Sequence, residues 1–92
     1  MTQTAFEQNW HKRGFSFHVG NIKLEEEVLD AMHEDQDELF VNVNGHLEVT
    51  MAGKTFQLEC MQELFIPAKS KHTIKNIGTS DCQIYYGYQQ VT

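Results

Sequence analysis

The sequence predicts an all-β fold, an antiparallel sandwich or barrel of short strands, and three observations predict it. β-branched and aromatic residues fall in short runs separated by Gly, Asn, Asp and Ser. No long stretch keeps a helical period. Ninety-two residues are enough for one core, whereas a second domain would need roughly another 100.

Taken in order, residues 1–14 form an N-terminal arm carrying Phe6, Trp10 and His11 among polar neighbours. Two readings stay open for it, a short helix or an arm packed on a second subunit. A single barrel is predicted over residues 15–92. Its strand candidates are Phe15 to Val19, Ile22 to Leu24, Val28 to Met32, Leu39 to Val43 and Leu47 to Met51, then Thr55 to Leu58, Leu64 to Ile66, Thr73 to Ile77 and Gln83 to Tyr88. Turn chemistry separates them at Asn44-Gly45, at Ala52-Gly53-Lys54 and at Gly78 to Asp81. Asn-Gly is a strong hairpin signal because both central residues of a type I′ turn need positive φ. The middle of the chain therefore reads as a meander of hairpins.

A net charge of -6 argues against a nucleic-acid partner, since phosphate recognition needs clustered Lys and Arg. No apolar run approaches the roughly 20 residues of a membrane span, and Met1 to Gly20 lacks a basic start and an apolar secretory core. These features predict a cytoplasmic protein without a membrane partner. Cys60 and Cys82 lack C-x-x-C spacing and read as two unpaired thiols in a reducing compartment.

Alternation from Glu38 to Asn44 puts Glu38, Phe40 and Asn42 on one face of a strand and Leu39, Val41 and Val43 on the other. Both faces are largely apolar, as expected when one lines an interior and the other packs against a neighbouring sheet or subunit. Glu38 opens that strand, and burying its carboxylate would be costly without cationic, hydrogen-bonding or metal partners.

The run from His33 to Phe40, with Gly45 six residues beyond Glu38, resembles the first motif of the cupin family: His-x-His, three or four residues, Glu, six residues, Gly. Pro67 to Asn76 is similar to the second, Pro-x-Gly, two residues, His, three residues, Asn. The blocks cover Val28 to Asn76 in the right order, and the outer strands fit the rest. The closest likeness is to small single-domain cupins described as mannose-6-phosphate isomerase-like, a label that reflects fold more than activity.

The resemblance implies a jelly-roll β-barrel with one divalent metal inside it. The family's four ligand positions fall on Ala31, His33, Glu38 and His72. Ala31 cannot bind a metal, so His33, Glu38 and His72 remain as ligands. Two imidazoles and a carboxylate are the donors of non-haem Fe(II) sites, and they also suit Zn²⁺, Ni²⁺ or Mn²⁺. Three further departures replace motif glycines, by Glu25, Met61 and Lys69. Lys69 must then take a turn conformation that glycine makes easy.

Phe40, Asn42 and Tyr86 are the predicted walls of a substrate pocket, with Val49 and Tyr88 beside them. Only one of the sets Ile84, Tyr86, Tyr88 and Gln83, Tyr85, Gly87 can face inward. His46 reads as exposed after its turn, and His18 is a substitute-ligand candidate. Three readings stay open: a metal-dependent enzyme acting on a small organic molecule, a non-catalytic ligand-binding or regulatory protein with a metal-free site, and a structural homodimer whose pocket is vestigial. In the first two, the partner is a small-molecule ligand. The apolar Leu39, Val41 and Val43 face predicts a homodimer.

Overall fold

The computed structural model describes residues 1–91, the side chain of Asp30 excepted, so Thr92 at the end of the predicted barrel lies outside the described residues. One helix, α1 (Gln3–Lys12), precedes eight strands: β1 (His18–Ile22), β2 (Glu27–Ala31), β3 (Gln36–Asn42), β4 (Leu47–Met51), β5 (Lys54–Leu58), β6 (Glu63–Ile66), β7 (His72–Asn76) and β8 (Cys82–Gln90). The first two predicted strands are one continuous β1.

The strands form two antiparallel sheets, ordered β1-β8-β3-β6 and β2-β7-β4-β5. Every connection along the chain crosses from one sheet to the other except β4 to β5. This is a jelly roll of two packed layers, and the sheets are not closed into a barrel.

The Asn44-Gly45 turn is accordingly not a hairpin, because β3 and β4 lie in different sheets. The Asn42 amide donates to the Gly45 carbonyl, and the Gln83 amide N–H donates to Asn44 Oδ1, which turns the chain out of the first sheet. Ala52 and Gly53, with φ of 54° and 75°, instead make the tight turn between paired β4 and β5.

Alternation decides the two cores. Ile22, Phe40, Ile66 and Ile84 from the first sheet meet Leu47, Val49, Leu58 and Ile74 from the second. On the outer face of the first sheet, Leu39, Val41 and Tyr85 pack against Phe6, Trp10 and Phe15. The arm is thus a helix folded on its own chain, and it covers the surface that suggested a second subunit.

Local chemistry explains why this helix forms and stays. Thr2 Oγ1 accepts the Ala5 N–H as N-cap. Phe6 and Trp10 are spaced to share one face, and Trp10 is fully buried. The indole Nε1 donates to Glu63 Oε1 at 2.9 Å, and Arg13 makes a two-pronged pair with the same carboxylate. Gly87 permits the close approach: a Cβ there would strike the Ser16 carbonyl and the Trp10 ring.

Among the described residues no helix is long and apolar enough to cross a membrane. Cys60 is exposed, Cys82 is buried, and both are free thiols.

Candidate metal centre and its cavity

β3 begins two residues before Glu38, and alternation puts Glu38 and Phe40 on its inner face, just beyond the loop carrying His33. β7 begins with His72 on the facing sheet. Two hydrogen bonds tie these segments together, from the Lys69 N–H to the His33 carbonyl at 2.7 Å and from the Ala68 N–H to Asp37 Oδ1 at 2.8 Å. Lys69 makes the first of these at φ 66°, in the left-handed region.

The predicted trio is brought together: one donor atom from each of His33, Glu38 and His72 lies within 4.8 Å of the others. His33 Nε2 is 3.1 Å from Glu38 Oε1, and His72 Nε2 is 3.7 Å from the same oxygen. Glu38 and His72 are buried and His33 is half-buried. His72 Nδ1 lies 3.1 Å from the Ser70 carbonyl. A carbonyl only accepts, so Nδ1 carries the hydrogen, and in the neutral ring the Nε2 lone pair is the one that faces the cluster.

Burial raises the Glu38 carboxyl to about 7. It lowers His33, with His72 adding to that effect. Tyr88, directly across the ladder from Glu38, is pushed up to about 12, first by burial and then by Glu38 and Tyr86. Its ring meets His33 edge-on at 4.9 Å.

These residues line a cavity of about 420 Å³ between the sheets, within the roughly 300–1,000 Å³ of small-molecule sites. Phe40 and Tyr86 line it, and the inward set on β8 is Ile84, Tyr86 and Tyr88. Ala31 also lines it, opposite His72 in the β2–β7 register.

Asn42 does not reach the cavity and is not one of its walls. It lies four residues further along β3 than Glu38 and is fully buried. There its amide donates to Gly45, and its Oδ1 has no partner among the described residues. Val49 sits in the core. His18 stacks on Tyr86 at 5.2 Å and 29°, and His46 is exposed.

Sequence reasoning missed Gly20, Val28 and Ile74 as lining residues. Ile74 carried a signal, standing two residues from His72 on the same strand face. Gly20 did not, because only the β1–β8 pairing brings it against Tyr86.

The chain matches the family described as Cupin domain over residues 20–88. It is 31% identical over 61 residues to polyketide synthase CurC of Streptomyces cyaneus, a match that spans 66% of this chain and 40% of that protein. In fold it is similar to the cupin domain of Schizosaccharomyces pombe Cnp3, with a TM-score of 0.76 at 23% identity over 84% of this chain and 56% of the other. A predicted oxalate decarboxylase of Thermotoga maritima gives 0.76 at 16% identity over 99% and 76%. The chain thus spans well under two thirds of the curated relative and of the Cnp3 domain. With both motifs, the jelly roll and the inward His-Glu-His cluster in place, this chain belongs to the cupin domain family.

Proposed function

We propose that His33, Glu38 and His72 hold one divalent metal ion and that the cavity beside them binds and transforms a small organic molecule. One observation carries this reading. The Ser70 carbonyl fixes the His72 tautomer, so a ring lone pair and a carboxylate oxygen face each other at 3.7 Å in a buried site. Two acceptors placed so are costly unless a cation, or the proton that the raised Glu38 carboxyl can hold, lies between them, and a metal ion satisfies both at once.

Two nitrogens and one oxygen suit Fe(II), Zn²⁺, Ni²⁺ or Mn²⁺, with identity set by geometry and supply. Such an ion, when bound, supplies Lewis-acid polarisation of a carbonyl or acidification of a water. The chain's own residues do the rest. Tyr88 stays a neutral phenol and offers its O–H to a ligand oxygen. Phe40 and Tyr86 keep water from one side of the ligand, and the Ala31 methyl leaves space where a fourth imidazole would stand. Metal analysis of untagged protein grown under varied metal supply tests the proposal; protein that carries none under every supply overturns it.

A second reading, non-catalytic ligand binding, is favoured by the His33–Glu38 hydrogen bond of 3.1 Å, which satisfies the carboxylate without a metal. Thermal stabilisation of metal-free protein by small ligands would support it. The 31% identity to a protein named as a polyketide synthase supports small-molecule work for this chain as well. We place the protein in the cytoplasm, where reducing conditions keep Cys60 and Cys82 as thiols. A homodimer, if formed, would use a face other than the one α1 covers.

A further inference from the structure

The walls of the cavity differ in a way that bears on what enters it. One wall is a run of rings: Tyr86, on which His18 stacks from outside the cavity, meets Tyr88 at 6.0 Å, and Tyr88 meets His33 at 4.9 Å. The facing wall, from β2 and β7, is aliphatic, with Val28 and Ile74. Two small residues also line the cavity. Gly20 lies so close to Tyr86 that a Cβ would stand 3.1 Å from its ring. Ala31 leaves a second gap beside His72. Packed sheets stand about 10 Å apart, and a glycine and an alanine among the lining residues leave a slot open between these walls.

Charge narrows the occupant further. Among the described residues lining the cavity, Glu26 and Glu38 are the acidic groups, and there is no lysine or arginine. The whole chain carries -6. A phosphate ester or a dicarboxylate would meet no cationic side chain to replace its lost water, which such groups require. A flat π-system, in contrast, gains offset and edge contacts with Tyr86 and Tyr88.

We infer that the cavity takes an uncharged, flat, unsaturated ring compound, held between the Tyr86–Tyr88 wall and Ile74, with one oxygen directed at the His33, Glu38 and His72 cluster. This rests on the reading of the cavity as a small-molecule site, and it deepens that reading by naming the ligand's class. Phosphorylated sugars and small dicarboxylates are excluded from the metal-free site by the same features.

Amide-resolved NMR of the whole chain, metal-free and zinc-loaded, tests this with 2-naphthol, mannose 6-phosphate and oxalate as probes. 2-Naphthol is expected to shift the amides of Gly20, Phe40, Ile74, Tyr86 and Tyr88 in both forms, while the two anions leave the metal-free spectrum unchanged. Tyr86→Leu, which keeps bulk and loses the ring, should weaken 2-naphthol about fivefold to tenfold. Ala31→Leu should block the slot, with the spectrum of residues outside the cavity preserved in both variants.

No shift with 2-naphthol, shifts confined elsewhere, or tighter binding of either anion to metal-free protein would overturn the inference. If zinc leaves the cluster unperturbed while 2-naphthol still binds, the metal proposal fails and this one stands. If zinc binds and 2-naphthol does not, this one fails alone.

Discussion

Nε2 of His72 faces Oε1 of Glu38 across 3.7 Å while its other ring nitrogen is held by the Ser70 carbonyl. The imidazole therefore arrives at the cluster already oriented, and its loss removes an oriented donor. Changes to partners behind a ligand cost roughly 10–100-fold in metal affinity, so His72→Ala should weaken zinc by more than that range. Ala31→His should act oppositely. Residues directly opposite in an antiparallel pair have Cβ atoms about 4.5–5.5 Å apart, and Ala31 pairs with His72, so a new imidazole there adds a fourth donor and tightens zinc binding. Competition with a chromophoric chelator measures both; unchanged affinity in His72→Ala would remove the cluster from consideration.

Glu38 sets a pH dependence on the metal-free protein. Its carboxyl sits at about 7 in the folded chain against 4.5 as the ordinary value. A folded value above the unfolded one means stability that is present below about 4.5 and lost as the pH climbs through about 7. The loss is on the order of a few kcal/mol. His33 runs the opposite way, since its folded value is lowered and its contribution is lost as the pH falls below its ordinary range. Urea denaturation across this window should therefore show Glu38→Gln gaining over wild type as pH rises, and zinc restoring wild type at the alkaline end. Parallel curves for the two proteins would contradict the burial argument.

The helix is expected to be needed for stability even though it lies outside the cavity. Trp10 is fully buried and its indole donates to Glu63, so Trp10→Ala should cost about 3–5 kcal/mol. Gly87→Ala should be damaging too, because the added methyl meets the Ser16 carbonyl and the Trp10 ring. Thermal unfolding checks both, and a melting temperature within a degree or so of wild type for Trp10→Ala would show that α1 is not part of the cooperative unit.

Glu25, Met61 and Lys69 occupy the three motif positions where the family has glycine, and each has φ of 66°. Each takes the left-handed backbone that glycine adopts most easily. Left-handed backbone costs an ordinary residue roughly 1–2 kcal/mol, partly offset by glycine's larger entropy when unfolded. Glu25→Gly, Met61→Gly and Lys69→Gly should each stabilise by about 0.5–1 kcal/mol. Denaturant midpoints would reveal a different balance if any of the three destabilised.

Much of this molecule was legible in the chain. Period-two alternation decided that Glu38 and Phe40 share a face opposite Leu39 and Val41, because strand side chains alternate whatever the partner. Motif spacing put His33, Glu38 and His72 forward as one cluster and marked Ala31 as the gap in it. Tertiary structure decided what lay beyond local reach. The Asn44-Gly45 turn carries the chain between sheets instead of making a hairpin, since the partner of a strand depends on surfaces far along the sequence. The same distance hid the helix cover over Leu39 and Val41, while Asn42, its amide bonded to Gly45, lies buried outside the cavity. The Lys69 tie to His33 and the space beside Tyr86 exist only where remote segments meet, so alternation could name the inward faces but not the space between them.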